Sequence, residues 1–95
     1  MLKLVAKFII KEEKIDEFKK YAEELVSETR KEKGCISYQL FQDVNDKKIL
    51  TFIEEWENLE AVDNHNKSEH ITKLLPMLME TFKEEPVLNI NKIVL

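Results

Sequence analysis

The chain has 95 residues, 43% of them hydrophobic and 36% charged with both signs intermixed, and a net charge of −4. It has the length of one domain, 1–95, and at this size folding buries only roughly 60 to 65% of the surface that the unfolded chain exposes, so a large closed pocket and a full core compete for few residues. The balance excludes the basic face that DNA or RNA binding needs, and no apolar run approaches the ~20 residues of a membrane span; a cytoplasmic protein is expected.

From Leu2 to Ile10 the residues Leu2, Leu4, Ala6, Phe8 and Ile10 alternate with Lys3, Val5, Lys7 and Ile9. Period two predicts a strand with one apolar and one mixed face. Ile15, Phe18, Ala22, Leu25, Val26 and Thr29 then recur at three and four, which predicts an amphipathic helix from about Glu13 to Lys33. Arg30, Lys31 and Lys33 suit its negative end, and Gly34, the only glycine, suits a left-handed C′ position.

"CISYQLFQD" and "ILTFIEEWE" alternate again around "VNDKK", predicting an antiparallel hairpin. Cys35, the only cysteine, excludes a disulfide framework and reads as a small apolar residue at the strand start. Asn58 can cap a helix that carries Leu59, Val62 and His65 inward, and Ser68 can cap another that carries Ile71, Leu74, Leu75, Leu78 and Phe82. Pro76 predicts a kink or break there. After Pro86, "VLNINKIVL" reads as a closing strand.

The order βαββαβ predicts a ferredoxin-like α+β fold, a four-stranded antiparallel sheet with its helices on one face. Val5, Ile9, Ile49, Thr51 and Ile53 then occupy the opposite face without a helix to cover them. Packing against the sheet of a second copy would bury them, so a homodimer is expected.

In the third strand Leu50, Phe52, Glu54 and Trp56 share a face, which aims Glu54 at an apolar layer. Two environments are open to it: burial, which demands a partner or a raised pKa, or a strand-end position that reaches solvent or caps a helix. Trp56 stands roughly 6 to 7 Å further along that face, and His65 lies on the inward stripe of the following helix. His65, Glu54 and Trp56 are therefore the candidate catalytic group, with Tyr38, Phe52 and His70 as candidate substrate contacts. His65 and His70 are five apart, a spacing that does not place two imidazoles on one helix face, and no third soft ligand is in view; no metal is expected. One glycine cannot build a phosphate-binding loop, so no nucleotide or flavin cofactor is expected either.

"EKGCISYQLFQD", "FIEEWEN" and "EAVDNHNKSEH", in that order, resemble the antibiotic biosynthesis monooxygenase domain along essentially the whole chain. The resemblance implies a dimeric α+β barrel with a pocket between sheet and helices, and places Glu54, Trp56, His65 and His70 at the family's motif positions. It implies a cofactor-independent monooxygenase acting on a quinol, phenol or enol-type small molecule with dioxygen. Two alternatives stay open: isomerase-like processing of a phosphorylated autoinducer, with Lys7, Lys73 or Lys92 as phosphate cation, and a non-catalytic dimeric binding or stress module. Haem-degrading members have a pocket-facing asparagine in the first strand, where this chain reads "LVAKFII", and that departure argues against haem.

Overall fold

The alternation at the N-terminus forms β1 (Leu2–Ile9), with Leu4 and Ala6 buried on its apolar face and Ile10 bridged to Phe82 just beyond it. The computed structural model describes Met1–Leu95. After a 3-10 turn at Glu12–Lys14 come α1 (Ile15–Thr29), β2 (Cys35–Gln42), β3 (Ile49–Trp56), α2 (Leu59–Asn66), α3 (Glu69–Met79) and β4 (Val87–Lys92). The strands form one antiparallel sheet in the order β2-β3-β1-β4, the ferredoxin-like arrangement that the element order predicts.

The core lies between this sheet and the helices. Phe18, Ala22 and Leu25 of α1, Val62 of α2, and Leu74 and Leu78 of α3 pack over Leu4, Ala6, Leu50 and Phe52. Aromatic rings run through it: Phe52 meets Phe8 edge-on at 5.7 Å and Tyr38 at 5.2 Å between centroids. Cys35 is half-buried against this core.

Four local expectations are corrected. First, α1 stops at Thr29, not Lys33, because the chain tightens into successive turns in which Lys31, Glu32 and Cys35 donate to the carbonyls of Glu28, Thr29 and Glu32. Gly34 does adopt the left-handed conformation (φ +87°), but at the end of this turn and not as the helix C′ residue. Second, Leu59 faces solvent: the inward stripe of α2 is Ala61, Val62 and His65, and a residue two before Ala61 sits about 200° round the helix from it. Third, Leu75 is exposed beside the inward Ile71–Leu74–Leu78 stripe, and Phe82 falls beyond α3, reaching the core through Phe8 at 5.0 Å. Fourth, of the kink or break expected at Pro76 the break does not occur, and α3 runs through it from Glu69 to Met79. The residue and the Thr72 carbonyl it cannot bond both lie on the exposed side, where water can serve that carbonyl.

The other sheet face carries Val5 opposite Ile53, Ile9 opposite Ile49, and Thr51, all half-buried with no helix above them. On the helix side of β4, Leu88 and Ile90 are 58% and 50% exposed, since neither long helix reaches that edge. No helix is long and apolar enough to cross a membrane.

Gly34 is required twice over. Its backbone conformation disfavours any side chain, and a Cβ there would stand 2.5 Å from Cβ of Ala61 while its carbonyl accepts from the Glu57 amide at 2.9 Å. Gly34→Ala is expected to destabilise the fold by about 2 to 4 kcal/mol, the sum of left-handed strain and overpacking. Chemical denaturation checks this, and an unchanged midpoint would contradict it.

Candidate functional site

The register sets Glu54 between Leu4 on β1 and Tyr38 on β2, on the face beneath the helices. Of the two environments open to it, burial is the one realised: Glu54 is 5% exposed. A buried carboxylate needs a donor, and the next residue on the same face supplies one, with Trp56 Nε1 donating to Glu54 Oε1 at 2.9 Å. Desolvation outweighs that hydrogen bond, and the charge of Glu32 adds to it, so the Glu54 pKa is pushed up to about 7.

His65 is 4% exposed and lies against the Trp56 ring at 4.8 Å and the Tyr38 ring at 5.5 Å. Burial lowers its pKa, against the opposing hydrogen bond and charge of Glu32. Its Nδ1 lies 2.6 Å from Glu32 Oε2, and His70 Nε2 lies 2.7 Å from the same oxygen.

That convergence depends on the junction between α2 and α3. Asn58 caps α2 by accepting from the Ala61 amide, and Ser68 caps α3 by accepting from the Ile71 amide while its hydroxyl donates to the His65 carbonyl. The two helices are thus separate, and the axis changes between the histidines. Five-residue spacing keeps imidazoles apart on one continuous helix, but here the change of axis brings both rings to one carboxylate. No third soft ligand joins the two rings; the third group that they meet is a carboxylate, Glu32. It was concealed among Arg30, Lys31 and Lys33, which read as helix-end charges; the signal for it was an acid in a basic run just before the only glycine.

Tyr38 is buried at the centre of the cluster, and burial together with Glu54 and Glu32 raises its pKa, which keeps the phenol protonated. Phe52 belongs to the aromatic core that supports it. The Cys35 thiol is pushed up by burial and by Glu32 and Glu54, so it has no thiolate character to offer. Solvent reaches the group through Glu32 and His70, whose side chains are 14% and 17% exposed. Of the lysines considered for a phosphate, Lys7 projects from the opposite sheet face and Lys73 is paired with Glu24 at 2.9 Å on the surface, while Lys92 lies on exposed β4.

Chemically, the arrangement holds one acid that titrates near neutrality, one imidazole that burial favours as neutral, and a phenol and an indole between them. The group is aromatic and mostly buried, and it meets solvent at Glu32 and His70. The chain matches known proteins along its length. The model of the family described as antibiotic biosynthesis monooxygenase matches residues 1–75. YcnE of Bacillus subtilis (strain 168), provisionally named a monooxygenase, is 34% identical over 70 residues, 74% of this chain and 74% of its own. A solved conserved protein of Methanosarcina mazei Go1 is 37% identical with a TM-score of 0.94, covering 96% of this chain and 90% of that one. A solved structure described as an antibiotic biosynthesis monooxygenase is also 37% identical, with a TM-score of 0.95 over 99% of both chains.

The raised Glu54 pKa has a signed consequence for stability. The folded protein binds this proton more tightly than the unfolded chain does, so the associated stability is present below pH 4.5 and is lost as pH rises through about 7. A displacement from 4.5 to about 7 corresponds to about 3 kcal/mol. Glu54→Gln keeps an oxygen for the Trp56 N–H and does not titrate. Relative to the parent, the variant is expected to gain about 3 kcal/mol between pH 4.5 and pH 8, as read by denaturation at each pH. Parallel profiles would show that Glu54 titrates normally.

Proposed function

Since the chain belongs to the antibiotic biosynthesis monooxygenase family, we propose that it is a small monooxygenase working without a cofactor on a quinol, phenol or enol-type substrate with dioxygen. The observation that supports this most is Glu54, a buried acid whose pKa of about 7 makes it an effective proton acceptor at neutral pH. His65, held by Glu32 and lying against the Trp56 ring, is the second proton-exchanging group and the partner for a substrate oxygen.

The reaction needs little more from the protein. Glu54 takes a proton from an acidic C–H or O–H of the substrate, and the resulting anion gives electrons to dioxygen to form a C–O bond. A proton returned to the distal peroxide oxygen gives a hydroperoxide; the carbon that carries it then gives up its remaining hydrogen as a proton to a base while the O–O bond breaks, so that one oxygen stays as a carbonyl and the other, with that proton, leaves as water. The protein supplies the base, orientation by Tyr38 and Trp56, and a site that excludes bulk water. No lysine joins the buried cluster's hydrogen bonds to hold a phosphate, which weighs against processing of a phosphorylated signal.

Oxygen consumption with a panel of quinols and anthrone-like phenols, without added metal or flavin, tests this reading. Turnover is expected, and Glu54→Gln and His65→Ala should each lower it by about two to four orders of magnitude with circular dichroism unchanged. Isomerisation of a phosphorylated diketone without oxygen uptake would point to signal processing instead, and neither activity would leave a binding module.

The half-buried Val5, Ile9, Ile49, Thr51 and Ile53 on the helix-free face support a homodimer that pairs these faces. Light scattering at micromolar concentration should give twice the 11.3 kDa chain mass. A single-chain mass would remove the dimer from the reading.

A further inference from the structure

The proton-exchange reading leaves Glu32 and His70 with no more than a supporting part, yet their geometry is specific. Three side chains from three separate segments, the turn after α1, the end of α2 and the start of α3, bring Oε2 of Glu32, a nitrogen of His65 and a nitrogen of His70 within 4.8 Å of one another. Both imidazoles direct a ring nitrogen at the same oxygen, at 2.6 and 2.7 Å. We propose that Glu32, His65 and His70 form a binding site for a divalent late first-row transition ion of the Zn2+ or Cu2+ type.

The donor set selects the ion. Two imidazoles and one carboxylate suit Zn2+, Cu2+, Ni2+ or Co2+, whereas Mg2+ and Ca2+ require mostly oxygen ligands. Four-coordinate zinc bonds of about 2.0 to 2.1 Å separate neighbouring ligand atoms by about 3.3 Å. The two nitrogen–oxygen distances therefore have to open by about 0.6 to 0.7 Å, and the two nitrogens, which lie within 4.8 Å of each other, have to close by up to about 1.5 Å, changes within reach of side-chain torsions. Each nitrogen that becomes a ligand gives up its hydrogen to the other ring nitrogen or to solvent, since neutral imidazole is the ligating form.

Access and rigidity are divided among the residues in the manner an ion site requires. His65 is fixed by packing against Trp56 and Tyr38, while Glu32 and His70 are partly exposed and leave a coordination position facing solvent. The ion would replace the protons that join the carboxylate to the two rings. It would also occupy His65, so ion and substrate proton transfer compete for the same imidazole.

The location supplies a readout independent of turnover, because the only tryptophan lies 4.8 Å from His65. Titrating the metal-free full chain with Cu2+ should quench Trp56 fluorescence saturably at one ion per chain, and Co2+ should give the visible ligand-field bands of a four-coordinate site. Mg2+ should do neither. His70→Ala and Glu32→Gln should each weaken binding at least 10-fold, and Cys35→Ser should leave it as in the parent. The proposal is overturned if quenching does not saturate, or if it persists unweakened in His70→Ala and Glu32→Gln. Neither result bears on the monooxygenase reading, which oxygen uptake tests separately.

Discussion

A carboxylate under the helices of a 95-residue chain is the constraint from which the site is built. Glu54 occupies a position where strand alternation calls for an apolar side chain, flanked in the sheet by Leu4 and Tyr38. In that environment an ionised carboxylate must find donors or take up a proton. Trp56 provides one donor, and it does so because residues two apart on a strand share a face. One donor is too few to keep the group a strong acid, so it titrates near neutrality. The sequence motif Glu-x-Trp thus encodes both the partner and the incompleteness of the partnering.

The second acid is organised differently. Glu32 is held by neither strand nor helix but by a turn that Gly34 allows to lie against Ala61. There it receives His65 and His70 on one oxygen, tying the turn after α1 to both helices of the following segment. Its charge reaches the first group as well, acting to raise the Glu54 and Tyr38 pKa values and to offset the effect of burial on His65. The two carboxylates form one electrostatic unit even though no hydrogen bond joins them. A change at either is felt by the ionisable groups around both.

Periodicity made most of this legible. Alternation in "LKLVAKFII" and "ILTFIEEWE" placed Glu54 and Trp56 on the inward face, and three-and-four spacing did the same for His65. The capping residues Asn58 and Ser68 also marked the starts of α2 and α3, and with the second the junction between them. What the pattern could not convey was the consequence of that junction: a change of helix axis is a tertiary quantity, and only with it does His70 meet His65. Glu32 was hidden for a related reason, since charge composition describes a segment while the turn decides which charge faces inward. Leu59 and Leu75 show the same limit for apolar residues, because hydrophobicity near a helical stripe does not fix the angle at which a side chain leaves the helix.

The proposed function and stability make opposite demands on this site. Burial favours the uncharged forms of Glu54, protonated below about pH 7, and of His65, neutral above its lowered pKa. Stability from His65 is fully present above its ordinary value near 6.5 and is lost as pH falls through the lowered one, whereas stability from Glu54 is lost as pH rises. The interior is therefore best satisfied at mildly acidic pH, with both groups neutral. A carboxyl must be ionised to accept a proton, so the form of Glu54 that can act in the proposed reaction is the form the fold disfavours. A pKa of about 7 is where the two demands meet: near neutral pH a large share of Glu54 is ionised, yet each ionised carboxylate is still held in an apolar layer with one donor and is a stronger base than one in water. In the proposed reaction that destabilisation is the source of the reactivity, and full satisfaction of Glu54 by further donors would remove both.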